Sequence, residues 1–364
     1  MIVGCVKEIK SNEFRVGLTP ESVKAYVSHG HTVYMESNAG LGAGFDNDAY
    51  IKAGARILTK AEDVWKASEM IVKVKEPLKS EYQYFRKDLI IYTYLHLAAD
   101  EEQTKALLES CVTAIAYETI KDETGLPCLR PMSEVAGKLS VLEGARMLYK
   151  HNGGEGLLIT GVTNVKPAKV TIIGAGIVGK NALGVAYGLN ADVTILDINL
   201  NTLTALTYEY PKIKTLLSTE ENIKKALMDA DLVVSGVLLP GAKAPKLIKR
   251  SYYPLMKKGA VIMDVAIDQG GSTEVSKPTT HDHPVFEVDG IVHYCVANMP
   301  GAVPKTSTIA LNHATTPYGL LIADLGVEKA IHTNNAIKEG LNTYRGECTY
   351  LGVAEAFNIP FKKI

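Results

Sequence analysis

KVTIIGAGIVGKNALGVAYGLNADVTILD, residues Lys169 to Asp197, is the stretch whose reading decides the fold. Val170 to Ile173 form a short apolar, β-branched run of the kind that makes a buried strand. It leads directly into Gly174-Ala175-Gly176-Ile177-Val178-Gly179, and a helix of small residues is expected from Lys180 to Leu189. A second strand, Val193 to Leu196, ends on Asp197. Each part has a task in binding a dinucleotide. Gly174 permits the tight strand-to-helix turn, Gly176 lets backbone amides approach a pyrophosphate, and Gly179 lets helix and sheet pack closely. The helix start adds unpaired N–H donors and partial positive charge beside the phosphates. Asp197 can accept from the adenosine ribose hydroxyls and would repel a 2′-phosphate, which favours NAD over NADP. A glycine pattern alone is weak; the strand, turn, helix, strand and acid in sequence are much stronger.

The rest of the composition sets bounds. A chain of 364 residues is long enough for two domains, and 46% hydrophobic with 22% charged residues is ordinary for a globular protein. A formal net charge of −1 makes no electrostatic case for nucleic acid or an acidic membrane surface. No apolar run approaches the ~18 to 20 residues needed to span a bilayer. The start, MIVGCVKEIK, lacks a basic segment followed by a long apolar one, so no secretory signal is expected. Cys5, Cys111, Cys128, Cys295 and Cys348 are scattered and read as reduced, buried thiols of a cytoplasmic protein. No metal cluster is expected; His281-Asp282-His283 reads as loop.

Strands and helices alternate along the chain. Strands are expected at Ile2–Val6, Thr32–Met35, Met70–Val74, Leu89–Leu95 and Val112–Tyr117, with helices at Glu21–Ser28, Ala61–Ala67 and Glu101–Ser110 between them. Thr19-Pro20-Glu21 is a helix start: hydroxyl cap, proline in the first turn, then an acid. A second alternating block runs from Val170 to Ala297, with later strands at Leu232–Ser235, Ala260–Asp264 and His293–Ala297. Met132–Tyr149 and Ser307–Asp324 are long enough to be connecting helices. The tail from Gly326 has no nucleotide motif and is read as returning to the first block. The fold class is therefore α/β, with parallel, doubly wound sheets.

In such sheets ligands bind beyond the carboxyl ends of the strands. Lys75, His96 and Asp268 follow expected strands, and Arg15 lies on the loop after the first. Two cations, an imidazole and a carboxylate thus fall where a small anionic substrate could meet a nicotinamide. Bland readings stand beside this one: His96 as a core-edge histidine, Lys75 as a solvated loop residue, Arg15 paired with Glu13 or Glu8, Asp268 as turn chemistry.

Longer strings carry a resemblance. VLLPGAKAPKLI (Val237–Ile248), DVAIDQGG (Asp264–Gly271), PTTHDHP (Pro278–Pro284) and HYCVANMPGAVPKTST (His293–Thr308) resemble the alanine dehydrogenases. So do VKE and RVGLTPESV near the N-terminus, KVKEP ending at Pro77, YLHLA around His96 and PMSEVAGKLSV (Pro131–Val141). The resemblance extends over essentially the whole chain. It implies two Rossmann-like domains: a catalytic domain made of residues 1–130 and 307–364, and an NAD-binding domain, residues 131–306, inserted into it. It implies reversible conversion of L-alanine, NAD⁺ and water into pyruvate, ammonium and NADH, by a homohexamer.

The same resemblance assigns roles. Arg15 and Lys75 match substrate-binding positions, His96 the general acid/base and Asp268 a second catalytic residue. NAD positions match Ser133, Asp197, Ser218, Val237, Leu238, Val265, Ala266, Ile267, Asp268, Val296, Ala297, Asn298 and Met299, besides the glycine turn. Thr202 stands where Lys or Arg is frequent. Lys277 replaces a frequent Arg at another cofactor position and lacks its bidentate fork. The NAD-binding domain of proton-translocating transhydrogenases and the lysine-forming saccharopine dehydrogenases share the general architecture. Arg15, Lys75 and His96 together argue against the first, and the second would need room for a long dicarboxylate. A non-catalytic NAD-binding module is the third alternative.

Overall fold

A computed structural model describes residues 1–237 and 244–364. Its strands, in chain order, are β1 (Ile2–Cys5), β2 (Thr32–Glu36), β3 (Arg56–Leu58), β4 (Met70–Val72), β5 (Ile90–Thr93) and β6 (Thr113–Ala116), then β7 (Lys169–Ile173), β8 (Asp192–Asp197), β9 (Lys214–Leu217), β10 (Leu232–Ser235), β11 (Val261–Asp264), β12 (Val285–Val288) and β13 (Ile291–Tyr294), and finally β14 (Leu341–Tyr344) and β15 (Glu347–Cys348). The chain divides into two compact units: residues 1–132 with 303–364, and residues 133–302.

The first unit holds an eight-stranded sheet of order β15-β14-β6-β5-β4-β1-β2-β3. β1 to β6 are mutually parallel, while β14 and β15 add an antiparallel edge. The second unit holds a seven-stranded sheet of order β12-β13-β11-β10-β7-β8-β9, parallel except for β12. Each sheet reverses its winding once, between β4 and β1 in the first and between β10 and β7 in the second. Those are the switch points beyond which doubly wound sheets bind ligands. Two α/β units with helices on both sheet faces are the fold class expected above.

Two-sided burial explains why these strands read as continuous apolar runs. In β4 and β5, Met70, Val72, Ile90 and Tyr92 enter the core on one face of the sheet, and Ile71 and Ile91 the core on the other. In β10, Leu232 and Val234 face one core and Val233 the opposite one. The period of two is intact, but both phases are apolar because helices cover both faces. Helix starts follow local chemistry. Thr19 caps the helix Pro20–Ser28, its hydroxyl accepting from the Ser22 amide at 3.1 Å. The helix Pro304–Leu325 contains Pro317 and passes its buried Asn312 against the first loop, where Oδ1 accepts from the Thr19 amide at 2.9 Å.

Several expected bounds are corrected. The strands β1, β4, β5 and β6 stop one or two residues before the apolar runs do, because the last residues of those runs lie beyond the paired ladder. His293 lies inside β13, which ends at Tyr294 rather than Ala297. The nucleotide helix begins at Ile177, not Lys180. The short edge strands β3, β9, β12 and β15, and β14 between β15 and β6, escaped notice, since such short strands carry little apolar sequence. Among the cysteines Cys111 is only half-buried, with φ +52°. All five are free thiols.

Candidate active site

At the carboxyl edge of the first sheet, Arg15 lies on the loop after β1, Lys75 follows β4 and His96 follows β5, and these three strands are neighbours in the order β5-β4-β1. Arg15 is buried, at 2% exposure, despite its position on a loop. Its partner is Glu13, as one of the bland readings had it. Nε donates to Oε1 at 2.7 Å and Nη2 to Oε2 at 2.6 Å, and Nη1 lies 3.0 Å from the Met132 sulfur. Burial alone would lower the guanidinium pKa, but Glu13 raises it above its ordinary value. Such a fork fixes the plane of the guanidinium and thereby its orientation. Gly17 brings this loop onto β4: a Cβ there would stand 2.7 Å from the Val72 carbonyl oxygen.

Lys75 follows β4 and is held by its backbone. Its amide donates to Glu8 at 3.2 Å, and its carbonyl accepts from the Thr93 hydroxyl at 3.0 Å. The same Glu8 oxygen accepts from the Val74 amide at 2.6 Å. Glu8 also belongs to a buried ion cluster, with Lys73 Nζ 3.1 Å from both Glu8 and Glu81. Burial would lower the pKa of that ammonium, yet the two carboxylates raise it above the usual lysine value. Burial pushes the neighbouring Glu76 carboxyl up, but the hydrogen bond and charge of Lys10, with Lys75 and His96 nearby, hold it below the ordinary range.

His96 stands exposed three residues past β5, in left-handed backbone conformation (φ 51°, ψ 34°). Its amide donates to Glu118 at 2.6 Å. The imidazole stacks near-parallel on Tyr94, with centroids 6.1 Å apart and planes 16° apart. Tyr94 is buried, donates to the Cys128 carbonyl at 2.7 Å, and feels the charge of Arg15.

In the second unit the glycine turn sits at the β7–β10 switch point. Gly174 has φ +96°, a region that a side chain disfavours. A Cβ on Gly179 would stand 1.8 Å from the Gly174 carbonyl oxygen, so the turn and helix can touch only without a side chain. A Cβ on Gly176 meets nothing within 4 Å, leaving open space at the start of the twelve-residue helix Ile177–Gly188. Asp197, closing β8, accepts from the Ala175 amide at 2.6 Å and the Asn199 amide at 2.8 Å. A carboxylate offers about four lone-pair sites, so these bonds orient it and leave capacity for ribose hydroxyls. A turn, an open helix start and an oriented acid are what a dinucleotide requires; these residues fit NAD.

Other expected cofactor positions surround that edge. The Ser218 amide pairs with the Asp197 carbonyl at 2.9 Å, and Val237 follows β10 beside Gly174. Val265 to Asp268 form one short helical turn after β11, with Asp268 exposed. The turn is braced by buried Asp264, which accepts from the Ser272 amide at 2.8 Å, and by Lys246, whose Nζ lies 2.8 Å from the Gly271 carbonyl. Val296 and Thr279 make a parallel bridge, and Asn298, at φ +67°, precedes the turn Met299–Ala302. Lys277 places its ammonium 4.5 Å from the Phe286 ring centre, a cation–π contact. Ser133 lies half-buried on the helix Arg130–Met147, and Thr202 in the first turn of the helix Leu200–Glu209. Leu238 lies outside the described residues. Among the described residues no group of three or more His, Cys, Asp or Glu could hold a metal ion, and no helix is long and apolar enough to cross a membrane. Two open cavities of the first unit, about 620 and 660 Å³, contain none of the site residues.

Family models described as the alanine dehydrogenase/PNT N-terminal and C-terminal domains match residues 4–136 and 140–351. The chain belongs to the alanine dehydrogenase/PNT family. An alanine dehydrogenase of Bacillus subtilis (strain 168) is 54% identical over 356 residues, covering 97% of this chain and 94% of that one. One from Methanococcus maripaludis is 50% identical over 364 residues, covering 99% and 98%. A solved L-alanine dehydrogenase superposes with TM-score 0.95 at 48% identity, over 98% of this chain and 99% of that one. A Sinorhizobium meliloti transhydrogenase superposes with TM-score 0.82 at 24% identity, a likeness of fold.

Within this family member, sequence reasoning offered Glu13 and Glu8 as partners of Arg15, but missed Glu8 as the acceptor for the Lys75 amide and Glu118 as that for the His96 amide. Glu8 and Glu118 each lie two or three residues past a strand end, which is the only signal they carry. Tyr94 was legible merely as an apolar-run residue. Their partners are amides and rings brought close by the sheet, which no local pattern announces.

Proposed function

We propose that the protein is an NAD-dependent L-alanine dehydrogenase, catalysing reversible oxidative deamination of L-alanine to pyruvate and ammonium. What supports this reading is that the chain is 54% identical to an alanine dehydrogenase along nearly its whole length, and that Arg15, Lys75 and His96 follow β1, β4 and β5, which are neighbours in one sheet. Arg15, oriented by Glu13, and Lys75 bind the substrate carboxylate through charge-assisted bonds. The glycine turn, Asp197 and the edge residues of the second sheet would hold NAD, which when bound would supply the acceptor for the Cα hydride. His96 serves as general acid/base: it takes the proton that addition of water releases and returns it in the reductive direction. Asp268 stabilises the positive iminium and orients water or ammonia. Asp197 selects NAD over NADP.

Mixing the protein with NAD and L-alanine and following NADH absorbance tests the assignment. Alanine-dependent NADH formation, reversed by pyruvate and ammonium, is the expected result. Its absence in folded protein would overturn the reading. The family resemblance also supports a homohexamer, which sedimentation as a monomer at working concentration would remove.

A further inference from the structure

The backbone of His96 poses a physical problem. Left-handed conformation is unfavourable for a non-glycine residue, yet His96 adopts it at φ 51° while exposed to solvent. The ladder does not help, because β5 and β6 end opposite each other at Thr93 and Ala116. Leu95 and His96 thus leave the sheet with their amides beyond the last strand pair.

One side chain takes the place of the missing strand. Glu118 lies two residues past β6, on the short helical turn Tyr117–Thr119. Its Oε1 accepts from the His96 amide at 2.6 Å and from the Leu95 amide at 3.0 Å, and its Oε2 approaches the Leu95 amide at 3.2 Å. From the other side, Gln103 donates to the Leu95 carbonyl at 3.3 Å. Hydrogen bonds to a charged acceptor are stronger than those between neutral groups and offset the backbone strain. With the backbone fixed, stacking on Tyr94 sets the plane of the imidazole. Both Glu118 oxygens point at amides, so the carboxylate reaches the chemistry through His96.

We propose that Glu118 is a positioning residue: it clamps the Leu95 and His96 amides and so holds the His96 imidazole where proton transfer requires it. This rests on the role given to His96 above.

The test compares Glu118→Ala, Glu118→Gln, His96→Ala and the double variant Glu118→Ala/His96→Ala, by steady-state kinetics, NADH fluorescence titration and thermal unfolding. Displacing a reacting group by about 1 Å can cost on the order of 10²-fold. Glu118→Ala is therefore expected to lower kcat about 10- to 100-fold, with pyruvate KM and NADH affinity within about threefold. Glu118→Gln keeps an amide oxygen as acceptor and should recover turnover to within about fivefold of wild type. In the His96→Ala background, removing Glu118 should cost no more than about twofold, since it acts through the histidine. A Glu118→Ala enzyme within twofold of wild type, a full further loss in the His96→Ala background, or Glu118→Gln as poor as Glu118→Ala would each overturn the proposal. If Glu118→Ala does not fold, Glu118→Asp, which withdraws the carboxylate by one methylene, takes its place with the same expectations. Wild type that forms no NADH from alanine would refute the activity instead. The clamp is then read from hydrogen exchange of the Leu95 and His96 amides, which Glu118→Ala should accelerate at least about tenfold; unchanged exchange would overturn it.

Discussion

Glu13 grips the guanidinium of Arg15 from two residues away, with paired hydrogen bonds of 2.7 and 2.6 Å and both side chains buried. A bidentate pair so enclosed behaves as one rigid unit, and its two halves should fail differently. Arg15→Ala removes a carboxylate anchor and is expected to raise the KM for pyruvate and alanine about 10- to 100-fold, as loss of a charged hydrogen bond implies. Glu13→Ala removes the bidentate carboxylate from a buried cation and should also lower unfolding stability by about 3–5 kcal/mol. Substrate kinetics and denaturant unfolding separate the two; unchanged KM in both variants would refute the substrate-anchor role.

His96→Ala should lower turnover in both directions by about 10²- to 10⁴-fold, the usual worth of a general acid/base. NADH binding should stay near wild type, because the cofactor groups lie on other residues. A variant keeping more than about a tenth of its turnover would contradict the role. Lost NADH affinity would mark a structural histidine.

Asp197 is aimed by the Ala175 and Asn199 amides. Asp197→Ser removes its charge and should narrow the preference for NAD over NADP by at least about tenfold, equivalent to 1.4 kcal/mol. The comparison needs kcat/KM for both cofactors. Wild type that already uses both equally would sink the reasoning.

Gly179→Ala places a methyl group 1.8 Å from the Gly174 carbonyl oxygen, a contact only backbone movement can relieve. Overpacking of this kind costs about 1–3 kcal/mol. Displacement of the turn should weaken NADH binding about tenfold or more. A fluorescence titration matching wild type would show that the turn tolerates the shift.

His293 is fully buried in β13, stacked on Phe286 at 5.0 Å, and its ring nitrogens have no hydrogen-bond partner among the described residues. Burial lowers its pKa from 6.5 to about 4. Between those values the unfolded chain binds the proton and the folded one does not. This contribution is therefore complete above pH 6.5 and lost as pH falls towards 4, by roughly 3 kcal/mol. His293→Leu should flatten the dependence of unfolding stability on pH across that window. An equally steep profile in the variant would assign the loss to other groups.

Much of this molecule was determined locally. Glycine conformation, helix caps and apolar period act over a few neighbouring residues, so the turn at Gly174–Gly179, the Thr19 cap and strand β10 are visible in the chain itself. Which strand each of Arg15, Lys75, His96 and Asp268 follows is legible in the same apolar runs, although β1, β4, β5 and β6 end one or two residues before those runs do. Tertiary structure alone decided what these residues touch. Arg15 is buried against Glu13 and Met132, which are 2 and 117 residues away in sequence, while Glu118 reaches back 22 residues to fix the His96 amide. β14 likewise became a strand by pairing with β6, over 200 residues earlier in the chain, and β15 by pairing with β14. Such contacts pair polar groups that carry no period or cap of their own. Only closing the sheet brings a carboxylate to the amides that the ladder leaves open.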